Sequence, residues 1–76
     1  MFRFRPVKQF LSSPELGDYC SYGIHAFVST PSGYSDAGLV SDISCDLQFV
    51  SRLADRCTRL QLDPMQLMDV VLDSLP

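Results

Sequence analysis

The chain has 76 residues, of which 46% are apolar, and a formal net charge of -3. That length suits one domain, spanning residues 1–76, and a domain this small buries only about 60% of the surface its unfolded chain exposes. The apolar fraction excludes general disorder, and the acidic balance argues against an extended nucleic-acid surface, where basic residues must neutralise phosphates.

Residues 2–11 begin with a strand pattern: Phe2 and Phe4 on one face, Arg3 and Arg5 on the other. Pro6 donates no ladder hydrogen bond, so this strand is either an edge or broken there. Residues 12–17 (SSPELG) read as a loop, punctuated by Pro and Gly. Residues 18–30 form the clearest strand. Cys20, Tyr22, Ile24, Ala26 and Val28 share the expected core face, and Tyr19, Ser21, Gly23, His25, Phe27 and Ser29 share the other. Residues 31–35 (PSGYS) read as a five-residue turn. A strand over 37–43 follows, in which Ala37, Leu39 and Ile43 alternate with Gly38, Val40 and Asp42.

Helix signals then begin. Ser44 is the expected N-cap of a first helix, with Asp46 in its first turn. Leu47, Val50, Leu53, Ala54, Cys57 and Leu60 form one apolar stripe, with Arg52, Arg56 and Arg59 on the other side. Asp63, Pro64 and Gln66 mark a second helix as N-cap, first residue and capping-box partner, and Leu62 with Leu67 fits a hydrophobic staple. Leu67, Met68, Val71, Leu72 and Leu75 give it a wide apolar face, which Met65 and Val70 extend. The expected fold is α+β: a small antiparallel sheet, a β-hairpin or three strands, followed by two C-terminal helices packed on one face.

Sites of chemistry are weakly marked. Three cysteines are an odd number, and Cys20, Cys45 and Cys57 lie in apolar patterns that suit reduced, buried thiols. No C-x-x-C pair exists, and Cys20 and His25 point to opposite faces of one strand, so no metal site is expected. Cys45 at a helix start could meet His25, but a lone His on an outer strand face is usually only solvated. Asp69 and Asp73 lie one turn apart on a polar helix face, which needs no catalytic role. The segment 53–72 has the general form of a helix-turn-helix, yet its second helix carries two carboxylates and no Lys or Arg. The first eleven residues mix charge with apolar residues, unlike a signal peptide, and no apolar run approaches the roughly 20 residues of a membrane span.

Three segments in combination point to a family: Tyr19–Ile24 (YCSYGI), Ser41–Asp46 (SDISCD) and Leu60–Leu75 (LQLDPMQLMDVVLDSL). They resemble a family of short proteins from gut clostridia and related Firmicutes with no assigned activity. The resemblance covers most of residues 18–75. It implies a shared fold and a bacterial cytoplasmic origin, and it transfers no site.

The resulting expectation is a cytoplasmic, non-enzymatic interaction or regulatory module without cofactor or metal. It self-associates as a homodimer, or docks another protein, through Phe2, Phe4, Met65, Met68, Val70, Leu72 and Leu75. The basis is apolar surface that one small domain cannot cover. The alternative is a nucleic-acid-binding regulator using residues 53–72, which the charge distribution disfavours.

Overall fold

A computed structural model of the chain describes residues 1–75. Three strands, β1 (Phe2–Ser13), β2 (Gly17–Thr30) and β3 (Gly33–Ser44), precede helices α1 (Leu47–Leu60) and α2 (Leu67–Ser74). The sheet is antiparallel in the order β1-β2-β3, so sequence neighbours are spatial neighbours and β2 is central.

Both hairpin loops are shorter than the sequence pattern suggests. The first is Pro14–Leu16, closed by Gly17 at φ 70°, with Ser13 Oγ accepting from the Glu15 N–H at 3.2 Å. The second is only Pro31–Ser32, so Gly33–Asp36 belong to β3 instead of a five-residue turn. β1 runs unbroken through Pro6. The Ser29 N–H bonds the Met1 carbonyl, which sets odd-numbered residues of β1 toward β2 and even-numbered ones outward. The missing N–H of Pro6 therefore faces away from the ladder.

β3 departs from simple alternation. Ile24 pairs with Val40 and Tyr22 with Ser44, so two steps on β2 match four on β3; a second irregularity inserts Ala37 between the partners of Ala26 and Phe27. Each inserted residue inverts the facing of those beyond it. As a result Val40 and Ile43 enter the core, while Leu39, expected beside Ile43, is 51% exposed.

α1 begins one turn-forming step later than expected. Its N-cap is Asp46, whose carboxylate accepts from the Gln48 and Phe49 N–H groups at 3.0 and 3.3 Å. Ser44 closes β3 instead, its Oγ accepting from the Asp46 N–H at 3.0 Å. The buried stripe is Val50, Leu53, Ala54 and Cys57; Leu47 and Leu60 at its ends are exposed. The chain leaves α1 through Gln61 in a left-handed conformation, φ 51°.

Asp63 caps the next segment as expected, accepting from the Met65 N–H at 3.0 Å. Pro64–Gln66 then wind as a 3₁₀ turn before α2 starts at Leu67. The tighter turn brings the Gln66 N–H onto the Asp63 carbonyl at 2.8 Å, and the reciprocal side-chain bond of a capping box does not form.

Both helices pack on one face of the sheet. α1 lies chiefly against β1, and α2 with its 3₁₀ turn borders β3. The core joins Phe4, Ile24 and Ala26 from the first two strands to Val50, Ala54, Leu67 and Val71 from the helices. The last β2–β3 pair is Tyr22 with Ser44, so the segment from about Gln9 to Ser21 continues as a two-stranded arm, which lengthens the molecule to 43 Å along one axis. Among the described residues, no helix is long and apolar enough to cross a membrane.

Candidate functional site

α2 carries two apolar stripes because its sequence is apolar over more than half its circumference. The inner one, Leu67 and Val71, is 2% exposed and completes the core. The outer one runs Met65, Met68, Leu72, Leu75, with exposures of 90%, 51%, 59% and 37%. Met68 and Leu72, four residues apart, lie on one side of α2, with Met65 in the 3₁₀ turn before it and Leu75 at the extended C-cap after it. Asp69 and Asp73 flank the stripe.

Four of the seven residues expected to form an interaction surface are thus brought together. The other three are not. Phe4 is a core residue, 3% exposed, and is corrected from surface to interior. Phe2 and Val70 are half-buried and pack against the core cluster. All three lie on faces turned toward the sheet–helix interface, where neighbours distant in sequence cover them. Sequence reasoning underrated Phe10 and Leu16, which stand 81% and 71% exposed on the arm. Phe10 shares a face with Phe4, and only the reach of the helices separates their fates.

A polar cluster occupies the opposite face of the sheet. The β3 bulge at Ser41–Ile43 folds against Gly23, and Gln9 on β1 spans β2 to reach it. Gln9 Oε1 accepts from the Asp42 N–H at 2.8 Å, and Gln9 Nε2 lies 3.3 Å from Ser41 Oγ. Tyr19 donates its hydroxyl to the Asp42 carboxylate at 2.8 Å, which pushes the phenol above its ordinary pKa of 10.0. The bond favours the protonated phenol, and burial adds to it. Asp42 holds φ 54°, so these bonds fix an uncommon backbone conformation.

On the same face, His25 stacks on Phe27 with ring centroids 4.2 Å apart, and its Nε2 lies 3.2 Å from Asp36 Oδ1. That distance permits an ion pair when the imidazole is protonated, but the approach is not aligned as a hydrogen bond. Asp36 titrates below its ordinary value, first because it accepts the Gly38 N–H at 2.9 Å and second because His25 is adjacent.

Cys45 is exposed beyond Ser44, which pairs with Tyr22, whereas His25 pairs with Leu39 farther along the sheet; no nucleophile–base contact joins them. Cys57 is buried, which raises its thiol pKa, and Cys20, expected to be buried, is only partly covered because it lies on the arm. Among the described residues, no three His, Cys, Asp or Glu side chains converge as metal ligands. A shallow cleft of about 500 Å³ between α1 and α2 is lined by Phe49, Arg52, Arg56, Val70 and Asp73, without a histidine or thiol. Comparison with protein-family models, curated proteins and solved structures finds no match to the chain.

Proposed function

We propose that the chain is a non-enzymatic protein-interaction module of the bacterial cytoplasm that self-associates as a homodimer through the outer stripe of α2. One observation carries this reading: Met65, Met68, Leu72 and Leu75, on α2 and at its two ends, are large exposed apolar side chains beside a helix whose inner face already completes the core. Their three-four-three spacing reads the same in both directions. An antiparallel two-fold axis would set Met65 against Leu75 of the second copy and Met68 against Leu72, so the stripe is complementary to itself. Each large side chain taken fully from water contributes about 1.5–3 kcal/mol before the cost of association. The flanking Asp69 and Asp73, without Lys or Arg on α2, favour this over docking on nucleic acid.

Sedimentation equilibrium at micromolar concentration tests it. The expected mass is twice 8.5 kDa, and Leu72→Lys should return the chain to 8.5 kDa with its circular dichroism unchanged. A wild-type monomer throughout the concentration range would sink the reading.

A further inference from the structure

α1 and α2 leave a recess between them that their own side chains do not fill. Its apolar lining is Leu53, a core residue, with Phe49 and Val70, which are half-buried and pack against the core cluster. The recess measures about 500 Å³, within the size range of small-molecule sites. α1 places Arg52 and Arg56 on one wall, and α2 places Asp73 on the other.

These charges are not satisfied within the chain. Among the described residues the only ion pair is His25 with Asp36, so neither guanidinium has a carboxylate within 4.0 Å, that of Asp73 included. Arg52 and Arg56 stand four residues apart on one helix, a spacing at which like charges are destabilising and a bound anion relieves them. Ser74, the remaining polar group of the lining, donates its hydroxyl to the Val70 carbonyl at 2.8 Å. The charged groups on the two walls are therefore what the recess offers a ligand.

We propose that this recess binds a small zwitterion with an apolar body, of the class of a free apolar α-amino acid. The charge distribution selects that class. Paired guanidinium groups match a carboxylate through their fixed N–H donors. Asp73 opposes a second negative charge at the same place, which disfavours a phosphate dianion, and it favours a ligand that carries an ammonium group beside its carboxylate. An internal peptide segment has its amines and carboxyls tied up in amide bonds and lacks that adjacent pair. Phe49, Leu53 and Val70 offer no hydrogen bond to a polar body, so the rest of the ligand is apolar. The recess is shallow and leaves the ligand partly in water, which puts binding in the millimolar range. Neither Met68 nor Leu72 lines it, so the site does not depend on self-association.

The test compares L-phenylalanine, 3-phenylpropionate and phenethylamine, which carry both charges, the carboxylate alone and the ammonium alone. Each is titrated into the 76-residue chain, with backbone amide shifts followed by NMR. Phenylalanine at millimolar concentration should shift the Phe49, Arg52, Arg56, Val70 and Asp73 amides saturably, and each single-charge analogue should bind at least three-fold more weakly. Arg52→Gln with Arg56→Gln should weaken phenylalanine binding at least ten-fold. Asp73→Asn should abolish the advantage of phenylalanine over 3-phenylpropionate, which a general loss of structure would not do selectively. The Leu72→Lys chain should bind as well as wild type, so failure of the α2 dimer leaves this result readable. Absence of saturable shifts at tens of millimolar phenylalanine, or binding unchanged by the double arginine replacement, would overturn the proposal. So would 3-phenylpropionate binding as tightly as phenylalanine, which would make the occupant a simple organic anion.

Discussion

Gln9 accepts a hydrogen bond from the backbone N–H of Asp42 at 2.8 Å, across the strand that separates them, because Gly23 lies between. A Cβ on Gly23 would stand against the Val40 carbonyl oxygen and within 3.0 Å of the Gln9 side chain. Three strands are thereby locked at one level, and the bulge that reverses β3 is held in place.

Gly23→Ala should accordingly destabilise the fold by about 1–3 kcal/mol through overpacking. Gln9→Ala should cost about 1 kcal/mol by leaving the Asp42 N–H without its partner. Urea denaturation with a common slope measures both. A Gly23→Ala chain as stable as wild type would show that the bulge can move away from β2.

The two helix entries give a second expectation. Asp46→Ala and Asp63→Ala should each lose about 0.5–2 kcal/mol, because the Asp46 carboxylate accepts two backbone N–H groups and the Asp63 carboxylate one at the start of a helical segment. Ser44→Ala leaves the α1 cap intact and should not match the loss from Asp46→Ala. The same denaturation series separates the three variants.

Thr58 and Gln61 guard the β1 edge, which predicts a change in exchange and solubility. Thr58→Val and Gln61→Leu each remove side-chain bonds to Phe4 and Phe2, at a cost of about 1 kcal/mol per bond lost. The Phe2 and Phe4 amides should exchange faster in the double variant, and light scattering should show stronger association with increasing concentration. Unchanged exchange at both amides would show that these side chains do not shield the edge.

Stability should vary with pH at both ends of the range. The folded Tyr19 phenol lies above its ordinary 10.0, so its contribution is complete below that value and is lost as pH rises toward the folded value. The folded Asp36 carboxyl lies below its ordinary 3.8, so its contribution is complete above that value and is lost as pH falls toward the folded one. Denaturation midpoints across pH should lose the alkaline component in Tyr19→Phe and the acid component in Asp36→Asn. Absorbance titration of the native protein should place one tyrosine above the unfolded value.

Local chemistry made much of this fold readable. The order of strands and helices follows from a change of apolar period from two to between three and four, and the start of the last helical segment from Asp63 and Pro64 in succession. The inner stripe of α1 was likewise present as Val50, Leu53, Ala54 and Cys57, since a helix face depends only on residues within a few turns. Met65, Met68, Leu72 and Leu75 were legible as an excess of apolar side chains, although not as a set separate from Val70.

Tertiary structure decided what period alone could not. Leu39 and Val40 exchanged places because Ala37 is inserted between the β3 partners of Ala26 and Phe27, a register set by pairing with β2, and an inserted residue inverts the facing of those beyond it. Phe4 and Phe10 share a face and a chemistry, yet one is 3% exposed and the other 81%. Nothing local distinguishes them. The difference is where α1 lies across the sheet: burial is set by the partner that arrives from elsewhere in the chain, and the arm extends beyond the helices that could have covered Phe10.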